Sequence, residues 1–190
     1  MKLTEGQKLF CLGLILVVLD QVVKILVKTN MCLGESIPVL GNFLRICFVE
    51  NEGMAFGMAW GGAIGKICLS VFRIVLFVAL WVWIDRMLEK GTSKGEAVPT
   101  GVLVGLTLIA AGAFGNILDC WFYGLIFSES TFTTVAHFGG SYAPFMMGKV
   151  VDMLSFSIFP PVFNFADSCV TCGAIYLLLF HWRFFAAEEK

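Results

Sequence analysis

Charged residues are few in this chain. Asp, Glu, Lys and Arg together make up 14% of its 190 residues, and the formal net charge is −1. A soluble domain contains about 25% charged residues, and a domain that binds nucleic acid carries clustered Lys and Arg. No extended basic patch is present. The composition therefore argues against a soluble domain and against a nucleic-acid partner.

Histidine is scarce as well, which removes the commonest metal ligand. His137 and His181 stand far apart in the sequence and form no ligand pair. The seven cysteines are scattered, mostly in apolar runs, where Cys behaves as a small hydrophobic residue. Cys169 and Cys172 form a C-x-x-C pair, but it lies inside the last apolar run and not beside a βαβ pattern. We therefore expect no metal and no cofactor.

Apolar runs dominate the rest of the sequence, which is 58% hydrophobic. A membrane helix needs about 20 apolar residues, and four runs are long enough: 9–27, 64–84, 98–118 and 166–185. The first run resembles a signal peptide but lacks a small-x-small cleavage site, so we predict a retained helix. The predicted fold class is a mainly α membrane protein. Four transmembrane helices and a small β-rich outer region would form one domain of residues 1–190.

The positions of Lys and Arg predict how the helices are oriented. Seven of these residues lie in the N-terminal tail, the short loop and the C-terminal end: Lys2, Lys8, Arg86, Lys90, Lys94, Arg183 and Lys190. The long connections, 28–63 and 119–165, carry few in comparison: Lys28, Arg45 and Lys149, with Lys66 at the edge of a run. Positive residues concentrate on the cytoplasmic side. Both termini are thus expected in the cytoplasm, and both long connections outside.

Two groups of polar residues lie within or at the ends of the apolar runs. Ionisable groups at membrane depth are costly and mark functional sites by default. Asp20 and Lys24 are four residues apart, so they share a helix face and can pair, although a purely structural ion pair fits equally well. Asn116 and Asp119 also share a face at the end of the third run. Asp119 could equally be a simple helix cap.

The stretch FVENEGMAFG, residues 48–57, differs from its apolar surroundings. Its mixture of Phe, Val, Gly and Asn predicts a strand and turn at the membrane surface. Gly53 and Gly57 permit close approach of another backbone. An ordinary surface hairpin would have a similar sequence, so this stretch alone does not define a site.

Two further carboxylates, Asp152 and Asp167, are separated by a segment that cannot be one continuous helix because it contains Pro160 and Pro161. A turn there could bring the carboxylates together. Asp167 begins the fourth run, where the positive end of a helix favours its ionised form. Asp152 has apolar neighbours, which favour its protonated form. Two such groups form an acid/base pair that can activate water, although a structural polar network is a commoner arrangement.

Together these segments resemble the bacterial lipoprotein signal peptidase family, signal peptidase II. Five family blocks occur in order along nearly the whole chain. They are D-Q-x-x-K (Asp20, Gln21, Lys24), N-x-G-x-A-F-G (Asn51, Gly53, Ala55, Phe56, Gly57), G-x-x-G-N-x-x-D (Gly112, Gly115, Asn116, Asp119), G-x-V-V-D (Gly148, Val150, Val151, Asp152) and F-N-x-A-D (Phe163, Asn164, Ala166, Asp167). Any one block is unspecific, whereas five in register are highly specific.

The resemblance implies a four-helix membrane aspartic endopeptidase whose catalytic dyad is Asp152 and Asp167. It implies that seven other residues bind substrate or support the dyad: Asp20, Lys24, Asn51, Gly53, Asn116, Asp119 and Asn164. Members remove signal peptides from diacylglyceryl-modified prolipoproteins by cleaving just before the lipidated cysteine, without metal or cofactor. Expected partners are these prolipoproteins and membrane lipid. We expect a monomer in the bacterial cytoplasmic (inner) membrane, with its active site at the outer, periplasmic face.

The chain departs from the family pattern in two places. Cys120 stands where members usually have Arg, directly after Asp119, and Arg73 or Lys149 could supply the missing charge. In addition, Asp119 and Asp152 are 33 positions apart, much farther than in the family. The extra segment, about residues 125–147, is interpreted either as an outer flap over the cleft or as a tolerated surface insertion.

Other kinds of membrane protein fit the sequence less well. A small transporter would also place polar residues in its spans, but it usually shows repeated halves, and no internal repeat is visible. A non-catalytic membrane scaffold remains an alternative. The motifs of other intramembrane proteases, G-x-G-D, G-x-S-G and H-E-x-x-H, are absent from the sequence.

Overall fold

The computed structural model describes residues 3–52, 62–94 and 98–188. The elements follow in the order α1 (Glu5–Asn30), β1 (Ser36–Leu40), β2 (Leu44–Asn51), α2 (Gly62–Lys94), α3 (Thr100–Leu118), a π-helical turn (Asp119–Tyr123), α4 (Gly124–Ile126), β3 (Val150–Phe156), β4 (Phe159–Phe163), α5 (Phe165–Phe180) and α6 (Trp182–Glu188). The protein is therefore mostly helical, with one small sheet. Asn51 of the second block is described, whereas Gly53, Ala55, Phe56 and Gly57 of that block lie outside the described residues.

Within the described residues, three helices have the length and composition to cross a membrane: Glu5–Asn30, Ile64–Gly91 and Thr100–Ile126. They coincide with the first three predicted runs. Many large apolar side chains on α1 and α2 are exposed, among them Phe10, Leu14, Phe72 and Val75. Such side chains are stable in contact with lipid tails, which are as apolar as the side chains themselves.

The fourth apolar helix is shorter than predicted. Helix α5 has 16 residues and ends at Phe180, because His181 leaves the helical conformation, with φ −129° and ψ 10°. At 1.5 Å per residue, α5 is about 24 Å long, less than the apolar thickness of a typical bilayer. The predicted run of 166–185 thus divides into α5 and the separate helix α6.

Helix α3 packs against α1, α2 and α5. Small residues allow the close contact with α5: a Cβ on Gly105 would lie 2.6 Å from Leu177, and a Cβ on Gly173 would lie 2.8 Å from the Gly105 carbonyl oxygen. A Cβ on Gly101 would meet Tyr176 and His181. Gly101 and Gly105, four residues apart on α3, are small residues that let α5 and His181, which follows it, approach α3 closely.

The four strands form one antiparallel sheet in the order β1-β2-β3-β4. Strands β2 and β3 pair with Glu50 opposite Val151 and Asn51 opposite Val150. Because neighbouring side chains in a strand point to opposite faces, the sheet has two distinct sides here. We call the side with Asn51, Val150 and Asp152 the cavity face, and the side with Phe48, Glu50, Val151 and Met153 the core face. Of the strand and turn predicted for residues 48–57, the strand is confirmed up to Asn51, and residues 53–57 lie outside the described residues.

The core face is covered by the end of α1, the π-helical turn and the segment that follows α4. Phe48, Val151 and Met153 are fully buried there against Val27 and Phe127. This packing joins the sheet firmly to the helices. It leaves the cavity face free to line a site.

Candidate active site

Asp152 and Asp167 line the same cavity, which has a volume of about 710 Å³. Asp152 lies in the middle of β3, and Asp167 lies in the first turn of α5. The hairpin formed by β3 and β4 reverses the chain between them, and Pro160 and Pro161 lie in β4, an edge strand of the sheet, where proline is tolerated. The turn that the sequence predicts does bring the two carboxylates to one place.

Asn164 links the two carboxylates. It caps α5: its Oδ1 accepts a hydrogen bond from the Asp167 amide at 2.8 Å, and an Asp167 carboxylate oxygen accepts from the Asn164 amide at 3.2 Å. The same Asn164 side chain donates from Nδ2 to Asp152 Oδ1 at 2.7 Å. A capping box normally serves only to begin a helix. Here it also fixes the position of Asp152 relative to Asp167.

Two other asparagines hold the remaining carboxylate oxygens. Asn51 donates from Nδ2 to Asp152 Oδ2 at 3.1 Å, and Asn116 donates from Nδ2 to Asp167 Oδ1 at 2.9 Å. Amide donors orient a carboxylate without adding a charge. Each carboxylate is therefore held on both oxygens, which limits its rotation.

Lys24 is the centre of a second polar layer behind the asparagines. Its ammonium group lies 2.9 Å from Asp20 and 2.8 Å from Asp119, and it donates to Asn116 Oδ1 at 2.8 Å. Lys24 and Asp119 are 0% exposed and Asp20 is 1% exposed. The pairing predicted for Asp20 and Lys24 is confirmed. Asp119 is a partner of the same cation rather than only a cap.

Asp20 and Gln21 connect this layer to neighbouring helices. Asp20 Oδ1 accepts from the Ala166 amide at 2.9 Å, so it helps to begin α5. Gln21 donates to Asp119 Oδ1 at 2.9 Å and to the Gly115 carbonyl at 3.1 Å. These contacts join α1, α3 and α5 directly beneath the two carboxylates.

Burial and, as the second cause, the nearby negative charge of Asp167 together raise the pKa of Asp152 to about 7. Hydrogen bonds from Asn51 and Asn164 act in the opposite direction, because they stabilise the ionised form. At neutral pH a large fraction of Asp152 therefore carries a proton. The arrangement can hold one protonated and one ionised carboxyl group in one cavity, which suits acid/base catalysis.

Among the residues that the structure describes, no group of three or more His, Cys, Asp or Glu is placed to hold a metal ion. The side chains that line the cavity are two carboxyl groups, two asparagines, one arginine, the hydroxyls of Ser168 and Thr171, and otherwise apolar groups and Cys172. The polar donors around the carboxylates are neutral amides, the arrangement of an acid/base site.

Sequence comparison decides the family. The model of the family described as "Signal peptidase (SPase) II" matches residues 12–183. The chain belongs to the signal peptidase II family. The lipoprotein signal peptidase of Porphyromonas gingivalis strain W83 is 41% identical over 203 residues, covering 96% of this chain and 86% of that protein. The lipoprotein signal peptidase of Halothermothrix orenii is 32% identical over 170 residues, covering 90% of this chain and 92% of that protein.

Solved structures agree with the sequence comparison. Two bacterial membrane enzymes determined by the in meso method, at 1.9 Å and 2.3 Å resolution, superpose with TM-scores of 0.62 and 0.61. Their sequences are 26% and 25% identical to this chain. The match covers 92% and 90% of this chain, and 94% and 85% of theirs. Members of the signal peptidase II family are proteases of the membrane, and the apolar helices of this chain agree with that setting.

Cys120, which stands where other signal peptidase II members usually have Arg, contacts a cation from another helix. The guanidinium Nη1 of Arg73, on α2, lies 3.6 Å from Cys120 Sγ. Arg73 also lines the cavity that contains Asp152 and Asp167. Lys149, the other candidate, does not line this cavity and instead lies 3.4 Å from Glu50. Of the two cations that the sequence offers, Arg73 is the one at the site.

Sequence reasoning missed a buried polar cluster on the core face of the sheet, formed by Lys28, Glu50 and Ser130. A signal for it was present, because Lys28 is four residues after Lys24 and therefore lies on the same face of α1. The apolar wall of the cavity, which includes Phe156, Phe159 and Phe163, was also not foreseen. Its residues come together only through the β3–β4 hairpin, whose pairing the sequence does not specify.

The segment 125–147 does not line the cavity, contrary to the flap interpretation. It packs on the core face of the sheet, where Phe127 is 0% exposed and Ala136 is 3% exposed. Its backbone is hydrogen-bonded to the rest of the chain, for example from the Leu33 amide to the Thr131 carbonyl at 2.9 Å. The segment is thus a docked part of the fold on the side of the sheet opposite the two carboxylates.

Proposed function

We propose that the protein is an aspartic endopeptidase that removes the signal peptide from diacylglyceryl-modified prolipoproteins, cleaving just before the lipidated cysteine. The observation that carries this proposal is that Asp152 and Asp167 face one cavity while asparagine amides hold all four of their oxygens. Membership in the signal peptidase II family supports the substrate class. The site residues are Asp152 and Asp167 as the dyad, with the neighbouring polar residues in support.

In the proposed mechanism Asp167 is the base and Asp152 is the acid. Asp167 takes a proton from a water molecule, whose oxygen attacks the scissile carbonyl carbon, while Asp152 donates its proton to the carbonyl oxygen. The tetrahedral intermediate then breaks its C–N bond as Asp167 gives the water-derived proton to the leaving amine, and Asp152 takes a proton back from a hydroxyl of the intermediate, which becomes the carboxyl group of the released product. The position of Asp167 at the positive end of α5 supports its ionised role. The raised pKa of Asp152 supports its protonated role.

Substrate binding uses the two kinds of surface that meet in the cavity. Polar groups, Asn51 among them, lie beside the dyad, and the aromatic wall of β3 and β4 extends away from it. An extended peptide can lie beside the dyad with main-chain hydrogen bonds. The apolar wall suits the acyl chains or the apolar part of a signal peptide, both of which leave the bilayer only at a cost.

We propose a topology with four membrane spans, in which α5 is the fourth and both termini lie in the cytoplasm. The Lys and Arg distribution supports this orientation. The proposed location is the bacterial inner membrane, as a monomer of one domain. A span as short as α5 is accommodated by local thinning of the bilayer or by flanking residues. The dyad, at the start of α5, would then lie at the outer surface.

The experiment that tests this function is cleavage by the purified protein in lipid vesicles. Two synthetic prolipoprotein precursors of identical sequence are compared, one carrying a diacylglyceryl group on its cysteine and one without it. The lipidated precursor should yield two products, with the new amino terminus at the modified cysteine as read by mass spectrometry. If both precursors remain intact, a non-catalytic scaffold is the better description.

The pH dependence of the reaction follows from the raised pKa of Asp152. Since the protonated form is the active one, kcat/KM should fall as the pH rises through about 7, by about tenfold per pH unit above it. The measurement is kcat/KM for the lipidated precursor over a range of pH on both sides of neutrality. A rate that stays constant through the alkaline range would contradict the assignment of Asp152 as the acid.

Arg73 should contribute to binding or to catalysis because it is the cation that lines the cavity. Replacing it in Arg73→Met should lower kcat/KM by about tenfold to a hundredfold, the loss of one charge-assisted hydrogen bond. The matched control is Arg86→Met, the same change on the same helix about 20 Å along its axis. Arg86 is exposed and should tolerate the change. Equal activities of the two variants would contradict a role for Arg73.

A further inference from the structure

The extra segment 125–147 takes part in a buried polar cluster directly behind the active site. Glu50, on the core face of β2, contacts the ammonium group of Lys28. Ser130, from the extra segment, donates to Glu50 Oε1 at 2.8 Å and lies 2.9 Å from Lys28 Nζ. Lys149 adds a second cation, 3.4 Å from Glu50 Oε2. One carboxylate is thus held by three side chains.

Aromatic rings close this cluster off from water. The Lys28 ammonium lies 4.9 Å from the ring centre of Tyr142 and 5.5 Å from that of Phe127. Both rings belong to the extra segment. The Tyr142 hydroxyl oxygen accepts a hydrogen bond from the Lys149 amide at 2.8 Å, which ties the end of the segment to the start of β3. A desolvated cation over aromatic faces is held strongly, so the segment and Lys28 stabilise each other.

The cluster is connected to the proposed dyad through one neighbouring residue of β2. Glu50 and Asn51 are consecutive in β2, so their side chains project to opposite faces of the sheet. Glu50 points into the cluster, and Asn51 points into the cavity and donates to Asp152 Oδ2 at 3.1 Å. Any movement of Glu50 along or across the strand must move Asn51 as well.

We propose that the extra segment is a positioning element of the active site, in which Ser130 fixes Glu50 and thereby keeps Asn51 hydrogen-bonded to Asp152. The proposal rests on the proposed function, because it concerns the same dyad. It assigns the segment a role other than a flap or a tolerated surface insertion. Ser130 acts through Glu50 and Asn51 and does not touch the substrate.

A catalytic role for Ser130 itself is excluded by its surroundings. Ser130 and Lys28 have the residue types of a serine–lysine hydrolase, and they lie 2.9 Å apart. Such a lysine must be free to accept a proton from the serine, whereas the Lys28 ammonium group is paired with the carboxylate of Glu50. Ser130 is 4% exposed and Lys28 is 0% exposed, so no substrate reaches the hydroxyl. The cluster is a support, not a second active site.

The test compares three variants of the full-length protein. Ser130→Ala removes the hydroxyl that binds Glu50, and Ser130→Thr retains a hydroxyl there. The matched control is Ser128→Ala, because the Ser128 hydroxyl accepts a hydrogen bond from the His137 amide within the segment, at 3.0 Å, rather than binding Glu50. Ser130→Ala should lower kcat by about tenfold with little change in KM. Ser130→Thr and Ser128→Ala should retain the activity of the unchanged protein.

A pH profile separates positioning from general destabilisation. The groups that face Asp152 are Asn51, Asn164, Asp167 and Lys24, and Arg73 lines the same cavity. Among these groups, Asn51 is the one that is adjacent to Glu50 in β2. A shift of Glu50 should therefore weaken the hydrogen bond from Asn51 to Asp152. Weakening that bond removes a donor to the ionised form, so the pKa of Asp152 should rise and the alkaline limb of kcat should move to higher pH in Ser130→Ala.

The same titration can be followed without turnover, by the infrared band of the protonated Asp152 carboxyl group, assigned by its loss in Asp152→Asn. If the unchanged protein cleaves the lipidated precursor and Ser130→Ala has the same kcat and pH profile, the positioning role is wrong. If the unchanged protein does not cleave the precursor, the proposed function fails instead. In that case the infrared titration alone decides, with a shift to higher pH supporting the positioning role and no shift overturning it.

Discussion

Replacement of either Asp152 or Asp167 by Asn is expected to abolish cleavage of the lipidated precursor. Asparagine keeps the shape of the side chain but cannot take up or release a proton at neutral pH. General acid–base catalysis contributes about 100-fold to 10,000-fold to a rate, so each variant should lose at least about 100-fold in kcat. The loss should appear in kcat rather than in KM, because the substrate contacts remain.

These variants should still fold, with a thermal stability close to that of the unchanged protein. Asp152 is buried beside Asp167, and its raised pKa shows that the fold disfavours its charge. A carboxyl group whose pKa is raised in the folded state destabilises that state as the pH rises from the unfolded value to the folded one. Asp152→Asn should therefore unfold at the same temperature as the unchanged protein or higher at pH 8, and the difference should shrink at pH 5.

The matched control for both variants is Asp85→Asn. Asp85 is exposed on α2, far along the helix from the residues of the cavity, and the change is chemically identical. The double variant of Asp152 and Asp167 should be no less active than either single one, because the two groups act as a unit. Turnover close to the normal rate in either single variant would refute the dyad.

Among the substitutions proposed for this protein, Lys24→Met is expected to cause the largest loss of stability. Lys24 neutralises Asp20 and Asp119, and all three are buried. Removing one partner of a buried ion pair leaves an uncompensated charge and costs about 3–5 kcal/mol. For a protein of this size the unfolding temperature in detergent should fall by about 6–20 °C. Activity should fall as well, because Lys24 also holds Asn116, which donates to Asp167.

The control for this variant is Lys8→Met on the same helix. Lys8 pairs with Glu5 at 2.6 Å, but both side chains are more than half exposed, and exposed ion pairs contribute little. A second variant that combines Lys24→Met with Asp20→Asn and Asp119→Asn removes the uncompensated charges and should recover much of the stability. Equal unfolding temperatures for Lys24→Met and Lys8→Met would show that the three buried charges do not depend on one another.

The sequence predicts the apolar helices and the polar blocks, because these depend on local composition. Runs of about 20 apolar residues indicate α1, α2 and α3 directly. The spacing of four between Asp20 and Lys24 predicts their pairing. Pro160 and Pro161 exclude one continuous helix between Asp152 and Asp167, and in the structure the β3–β4 hairpin brings the two carboxylates to one cavity.

Features that depend on contacts distant in sequence could not be predicted in this way. Asn164 bonds to Asp152 through the β3–β4 hairpin, and Ser130 bonds to Glu50 across 80 positions. Neither pair of residues has a spacing, such as the spacing of four between Asp20 and Lys24, that would indicate the contact from the sequence. The approach of Arg73 to Cys120 depends on how α2 packs on α3, and the early end of α5 depends on the conformation of a single residue, His181.

The most direct measurement is an experimental structure with a lipidated precursor analogue whose scissile amide is replaced by a non-cleavable hydroxyl group. This group imitates the tetrahedral intermediate, and such analogues bind more tightly than substrates. The hydroxyl should lie within hydrogen-bonding distance of both Asp152 and Asp167, with the apolar part of the ligand along β4. A ligand bound elsewhere, or two aspartates turned away from its hydroxyl, would contradict the assignment of these residues as the catalytic pair.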